Sequence, residues 1–154
     1  MSSEYIGAMI RESVKKFGAS VAMRYKENDV WKQITYNELG ELIKEVAKAL
    51  LEYDVKEGEM VGIFAQNMPQ WSIADFGILS VRGVSVPIYA TNTAKQAEYI
   101  VNDAEIRVLF VGDKAQYEKI TSFIDSSKYL KKVVVFDENV KLKGAHSVYL
   151  KDFL

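Results

Sequence analysis

Four short apolar runs, separated by stretches of helical periodicity, do most to limit how this chain folds. They are Met60 to Ala65, Val84 to Tyr89, Arg107 to Val111 and Lys132 to Phe136. Strands that alternate with helices at this spacing pair in parallel, with right-handed crossovers and helices on both faces of the sheet. The expected fold class is therefore α/β: a mostly parallel sheet with helices on both faces, preceded by a helix and a β-hairpin, in a single domain over 1–154. With 154 residues, 49% of them hydrophobic, the chain can bury a core of that kind.

The intervening segments carry local start and stop signals. Ile6, Ile10, Val14 and Phe17 recur at helical spacing and Gly18 ends that helix. Val21 to Tyr25 and Val30 to Ile34 flank Asn28-Asp29, which predicts a hairpin. Thr35 and Glu38 form a capping box ahead of a stripe of Leu39, Leu42, Ile43, Val46, Ala47 and Leu50. Gly58 marks a turn. Pro69 suits the first turn of a helix over about Gln70 to Arg82, which is apolar almost all round and so is expected to be buried on more than one side. Gly83 reads as the left-handed residue that ends it. Pro87 predicts that its strand lies at an edge or carries a bulge. Thr93 and Gln96 make a second capping box before Ala97, Ile100, Val101 and Ala104. Gly112-Asp113 opens a helix with Tyr117, Ile120, Ile124 and Phe123 inward. Val140 to Leu154 reads as polar and irregular, with one further short strand near Ser147 to Leu150.

Composition excludes several functions. The chain carries 20 basic and 21 acidic side chains, spread out and summing to -1, so no clustered cation surface for nucleic acid is expected. With no cysteine there is no disulfide or thiolate metal site, which fits a cytoplasmic location. Met1-Ser2-Ser3-Glu4 has no basic, then apolar, leader pattern. The apolar stretch Ile73 to Ala90 is broken by Asp75, Arg82, Gly83 and Pro87, which reads as protein interior.

General templates for catalysis find no match. There is no G-x-x-x-x-G-K-[ST] phosphate loop, no G-x-G-x-x-G after a strand and no G-x-S-x-G elbow. His146, the one histidine, lies among Gly144, Ala145 and Ser147 and is expected to be an exposed loop residue. Glu41 and Glu45 share a polar helix face with Lys44 and Lys48. Asp75 interrupts a buried helix, where a carboxylate needs a partner. Trp31, Trp71, Tyr89 and Tyr99 are expected to pack in the core or at a sheet edge. Open α/β sheets bind ligands beyond the C-terminal ends of their strands. That crest would carry Gln66 and Asn67, then Tyr89 with Thr91 and Asn92, Gly112-Asp113, and Asp137-Glu138. Gln66, Asn67, Tyr89 and Thr91 are the candidate site residues. Capping and turn roles compete with ligand binding at Asn67, Thr91 and Thr93, and no catalytic or metal-binding residue is identified.

Five phrases, in order, resemble the adenylate-forming acyl-CoA synthetases. Thr35-Tyr36-Asn37-Glu38-Leu39 resembles "T-Y-x-E-L". "VKEGEMVGIF" from Val55 resembles "G-V-x-x-G-D-x-V-x-I", with Asp54 where glycine often stands and Glu59 for aspartate. Asn67-Met68-Pro69-Gln70-Trp71 resembles "N-x-P-E-W". Gly83 to Tyr89 resembles "G-A-V-x-V-P-x-Y". The segment from Thr91 to Gly112 is similar to that of the long-chain fatty acid–CoA ligases. The resemblance implies a parent enzyme that uses ATP and Mg²⁺ to make an acyl-adenylate from a fatty acid, then passes the acyl group to CoA. It also implies a parent that associates peripherally with membranes. The family's "T-S-G-T-T-G-x-P-K-G" loop has no match here, so no catalytic residue carries over and no cofactor is expected in this piece.

The expected reading is an N-terminal scaffold portion of such a ligase, truncated relative to the parent and inactive alone. It would meet the missing downstream subdomains through apolar faces that otherwise promote self-association. The alternative is a free-standing α/β module for a small ligand or a protein partner.

Overall fold

A computed structural model describes residues 5–154; the reading made on Met1-Ser2-Ser3-Glu4 lies outside the described residues. The chain forms α1 (Ile6–Phe17), β1 (Val21–Glu27), β2 (Val30–Thr35), α2 (Tyr36–Glu52), β3 (Met60–Phe64), α3 (Pro69–Ser80), β4 (Val84–Ile88), α4 (Ala94–Asp103), β5 (Val108–Val111), α5 (Lys114–Thr121), β6 (Lys132–Val135), β7 (Ser147–Tyr149) and α6 (Leu150–Phe153). β1 and β2 make a separate antiparallel pair. The others form a five-stranded sheet in the order β4-β3-β5-β6-β7, with every pairing parallel. The α/β class expected from the sequence is the class observed.

The sheet separates two apolar layers. On one face Val61, Ile63, Phe110 and Val134 pack with Ile43, Val46 and Leu50 of α2 and Ile73 and Ile78 of α3. On the other, Phe64, Leu109, Val133 and Val135 pack with Ala97 and Val101 of α4 and Tyr117 and Ile120 of α5. Because side chains alternate along a strand, neighbours such as Ile63 and Phe64 serve opposite layers. That need explains why β3 and β5, in the interior of the sheet, are apolar without interruption. α3 touches α1, α2, β3 and β4, which accounts for its lack of a polar face.

Local chemistry fixes most boundaries. The Thr35–Glu38 and Thr93–Gln96 capping boxes both form. The backbone N–H of Thr35 donates to Glu38 Oε2 at 2.7 Å, and that bond holds the Glu38 carboxyl below its ordinary pKa. Asn28 and Asp29 both take positive φ, 49° and 63°, as a two-residue hairpin turn requires. Pro87 lies on the edge strand β4, as its missing N–H predicts.

Four expectations need correcting. The left-handed residue ending α3 is Arg82 (φ 61°), not Gly83. The N–H groups of Arg82 and Gly83 return to Leu79 and Ile78 carbonyls, so one reversal satisfies two open acceptors. Asp75 is half-buried on α3, and its carboxylate oxygens are not buried without a partner, so the partner expected for a buried carboxylate is not required. Trp31, Tyr89 and Tyr99 are 71%, 82% and 68% exposed, and only Trp71 packs against the core. Trp31 pairs across the hairpin with Lys26 on its solvent side, and Tyr89 leaves the sheet just past an edge strand. Finally, the tail is more ordered than its composition suggests: the expected strand forms as β7 and pairs with β6, and beyond it α6 buries Phe153.

The same left-handed reversal recurs at Asp54 after α2 and Glu105 after α4, with φ 61° and 53°. Asp54 occupies the position where glycine often stands in the similar synthetase phrase. A Cβ in this conformation is strained. Glu105 is exposed and forms no ion pair among the described residues, so Glu105→Gly isolates the backbone effect. It should raise unfolding free energy by about 0.5–1 kcal/mol; a urea titration that shows no gain would contradict this account.

Candidate functional site

Parallel strands send all their C-terminal ends to one edge, and the structure gathers the predicted crest there. Gln66 and Asn67 follow β3, Tyr89 follows β4, Gly112 and Asp113 follow β5, and Asp137 and Glu138 follow β6. From β3 the chain moves outward to β4, then returns past β3 to β5. The reversal between β3 and β5 is where open sheets usually hold a ligand.

Here the protein closes that position with its own side chains. Gln66 Nε2 donates to Asp113 Oδ2 at 2.9 Å, bridging the two strand ends. The Gly112 N–H donates to the Phe64 carbonyl at 3.0 Å. A Cβ on Gly112 would lie 2.9 Å from the Ala65 Cβ, so glycine serves close packing at this point. The other Asp113 oxygen caps α5 by accepting from the Ala115 and Gln116 N–H groups at 2.8 and 3.4 Å. Asp137 Oδ1 accepts from the Asn139 backbone N–H at 2.9 Å and its side-chain amide at 2.8 Å.

Tyr89 and Thr91 are exposed on a loop braced from below. Lys119 Nζ donates to the Ala90 and Asn92 carbonyls at 3.2 and 2.8 Å, and lies 5.5 Å from the Phe64 ring centroid. Gln116, only 5% exposed, accepts the Asp113 N–H at 3.1 Å and reaches the Ala90 carbonyl with its amide at 3.5 Å. Asn67 stands apart from this network. It lines a shallow cavity of about 350 Å³ with Met23, Arg24 and Tyr25 of the hairpin and Met68, Pro69 and Ser72. Gln66 and Asp113 are thus brought together, while Asn67, Tyr89 and Thr91 project separately.

Sequence reading did not single out Gln116 or Lys119. Gln116 had a local signal, because Asp-x-x-Gln from Asp113 is itself a capping box. Lys119 had none, since its partners lie 27 and 29 residues away.

The same geometry tests whether a nucleoside triphosphate and its cation would fit. Phosphates need free backbone N–H groups in a glycine-rich concavity. The crest glycine is packed against Ala65, its N–H is used, and the nearby carboxylates are spent on caps and turns. Among the described residues no group of three His, Asp or Glu is placed to hold a metal ion. The residues present do not form a triphosphate cradle.

Comparison with known proteins supplies the context. Residues 10–149 match the family model described as AMP-binding enzyme. The long-chain-fatty-acid–CoA ligase ACSBG2 of Xenopus laevis is 29% identical over 97% of this chain and 20% of its own length. The human ligase of the same name is 32% identical over 96% of this chain and 22% of its own. The chain thus spans about a fifth of the length of these relatives. Among solved structures, the anthranilate CoA ligase AuaEII, crystallised with anthranoyl-AMP, superposes with a TM-score of 0.84 at 20% identity, over 97% of this chain and 28% of that one. Coronafacic acid ligase from Pectobacterium brasiliense gives 0.86 at 18% identity, over 97% and 29%. At such identities the superpositions establish the fold alone. Because the family model matches nearly the whole of this chain, residues 10–149, the chain belongs to the AMP-binding enzyme family.

Proposed function

We propose that this chain is the N-terminal scaffold portion of a long-chain fatty acid–CoA ligase and does not catalyse by itself. In the whole enzyme, a fatty carboxylate oxygen would attack the α-phosphorus of ATP, with Mg²⁺ balancing charge and pyrophosphate leaving. The CoA thiol would then attack the acyl carbon and release AMP. The observation that carries this reading is a family match across residues 10–149 in a chain whose crevice between β3 and β5 is closed by the Gln66–Asp113 hydrogen bond. Residues outside this chain would supply the phosphate-binding parts. Downstream subdomains of the parent are its proposed partners, and its proposed setting is cytoplasmic, with peripheral membrane contact by the whole ligase. No helix among the described residues is long and apolar enough to cross a membrane. The closed β3–β5 crevice counts against the alternative of a free-standing small-ligand module.

The test is pyrophosphate–ATP exchange with palmitate, Mg²⁺ and the purified chain. No exchange above the protein-free rate is expected. Robust turnover would overturn the scaffold reading, as would a reading frame that continues past Leu154 without a glycine- and hydroxyl-rich phosphate loop.

Exposed Val30, Trp31, Val84, Tyr89 and Tyr99 support self-association of the isolated chain. Light scattering at micromolar concentration should report a dimer or larger species, and a clean monomer would contradict this.

A further inference from the structure

The solvent face of α2 carries its charges in an order that is complementary to itself. Glu41, Lys44, Glu45 and Lys48 are all exposed, and helical geometry places them within about 100° of one another on one stripe. Reversing the stripe about its midpoint, between Lys44 and Glu45, exchanges every carboxylate for an ammonium. Two antiparallel copies of α2 related by a two-fold axis at that midpoint would set Glu41 of one copy against Lys48 of the other. Lys44 would likewise meet Glu45, and each pairing would occur twice. Within one copy the stripe is only partly paired. Glu41 and Lys44 lie 3.4 Å apart, while Glu45 and Lys48 form no ion pair among the described residues.

The hollows on either side of α2 show a matching asymmetry. Toward α1 lies a trough of about 410 Å³ whose charged lining is Arg11, Lys15, Lys44 and Lys48 against the single carboxylate of Glu41. Toward the hairpin lies a hollow of about 570 Å³ lined by Glu38, Glu41 and Glu45, with no cation. The two-fold axis that pairs the stripe also turns the cationic side of each copy toward the acidic side of the other. Charge along the helix and charge across it therefore select the same axis. Leu51, 59% exposed near the end of α2, would enter the other copy's hollow, which Ile34 and Leu42 help to line.

We propose that α2 is a self-recognition surface through which two copies of this chain join antiparallel about a two-fold axis. Parallel packing is excluded by charge, because it sets Glu41 against Glu41 and Lys48 against Lys48. A partner of one charge sign satisfies one flank and is repelled by the other, whereas a second copy satisfies both. The contact is distinct from the exposed apolar side chains cited above for self-association, none of which lies on α2. Nor does it depend on the ligase reading. Each exposed ion pair is weak alone, so the dimer needs all four and is sensitive to salt.

Sedimentation equilibrium of the 154-residue chain tests the proposal. At about 50 µM protein a monomer–dimer equilibrium is expected, weakening roughly tenfold or more between about 50 and 500 mM salt. Lys48→Glu and Glu41→Lys each oppose like charges across the axis and should each weaken the dimer by about tenfold or more. The double variant Glu41→Lys with Lys48→Glu restores opposite pairs and should return to within about threefold of wild type. All these side chains are exposed, and circular dichroism checks that each variant folds. Because the chain has no cysteine, cross-linking reads the register. An equimolar mixture of Glu41→Cys and Lys48→Cys proteins should form a disulfide-linked dimer with oxidised glutathione. Glu41→Cys alone should not, since its two copies would lie about 10 Å apart along the paired helices. Failure of the double variant to recover, or equal cross-linking of Glu41→Cys alone, overturns the proposal. A dimer indifferent to salt and to charge reversal also overturns it, while leaving association through the apolar side chains standing. A monomer at low salt overturns both.

Discussion

Replacing Phe110 with alanine should lower the unfolding free energy by about 3–5 kcal/mol. Phe110 is fully buried on β5, the central strand of the sheet. Its ring stacks on Phe136 with centroids 5.8 Å apart and meets Phe153 edge-on at 5.7 Å. Phe153 in turn stacks on Tyr53 at 4.8 Å. One aromatic chain therefore ties the end of α2, the C-terminal helix and two central strands together. Removing its middle member leaves a cavity that cannot collapse, because β3 and β6 hold β5 on both sides. It also ends two ring contacts, each worth about 0.5–1.5 kcal/mol beyond simple burial. A domain typically has only about 5–15 kcal/mol in total, so the variant should be close to unfolding at 37 °C. Phe110→Leu keeps most of the volume and should cost less than half as much. Urea unfolding followed by far-UV and near-UV circular dichroism separates the two. A loss below about 1 kcal/mol for the alanine variant would mean that the aromatic chain is not a structural link.

How much of this was legible in the sequence depends on how far apart the interacting groups lie. The Thr35–Glu38 box, the Asn28-Asp29 turn and Pro69 at the start of α3 each act within four residues, and each was readable. Two of the phrases that resemble the synthetases include such places, the Thr35–Glu38 box and Pro69. Glu59, standing for the usual aspartate, accepts the Lys56 N–H at 2.8 Å and pairs with Arg107 at 3.0 Å. Its phrase therefore describes a turn and a strand entry rather than chemistry. The strand near Ser147 was legible, but the order of the rest of the tail was not, because it is imposed from a distance. β6 connects to β7 through a loop without helical periodicity. The Tyr117 hydroxyl holds that loop, accepting the Lys143 N–H at 2.7 Å and donating to Ser147 Oγ at 2.9 Å, and the Tyr149 hydroxyl donates to the Val140 carbonyl at 2.7 Å. The site divides the same way. Strand ends located the crest, but the Gln66–Asp113 bond that closes it joins residues 47 positions apart, and only the strand order brings them together.

The contact between α2 and α3 gives the second large effect, and its sign is opposite to what helix propensity alone would give. Gly77 lies in the interior of α3, where alanine would ordinarily be favoured by about 1 kcal/mol. A Cβ at this position would lie 2.4 Å from Val46 Cγ1 and 2.8 Å from Val46 Cβ. Val46 cannot turn away, because a β-branched side chain in a helix has one strongly preferred rotamer and its Cβ is fixed to the backbone. The two helices must separate, opening the layer that Val46 and Ile78 fill at 1% and 0% exposure. Overpacking of this kind sits near the top of its usual range, about 3 kcal/mol, so Gly77→Ala should destabilise by about 2 kcal/mol net. Val46→Ala alone removes buried methyl groups and is also destabilising. Combined with Gly77→Ala, however, it removes the 2.4 Å contact, and the space it vacates is partly filled by the new methyl. The double variant should therefore be more stable than the sum of the single losses predicts, by about 1 kcal/mol or more, in a cycle measured by urea unfolding. If Gly77→Ala proved neutral or stabilising, the helices would have to pack more loosely than these distances allow. Strict additivity would mean that Val46 is not the group that keeps position 77 free of a side chain.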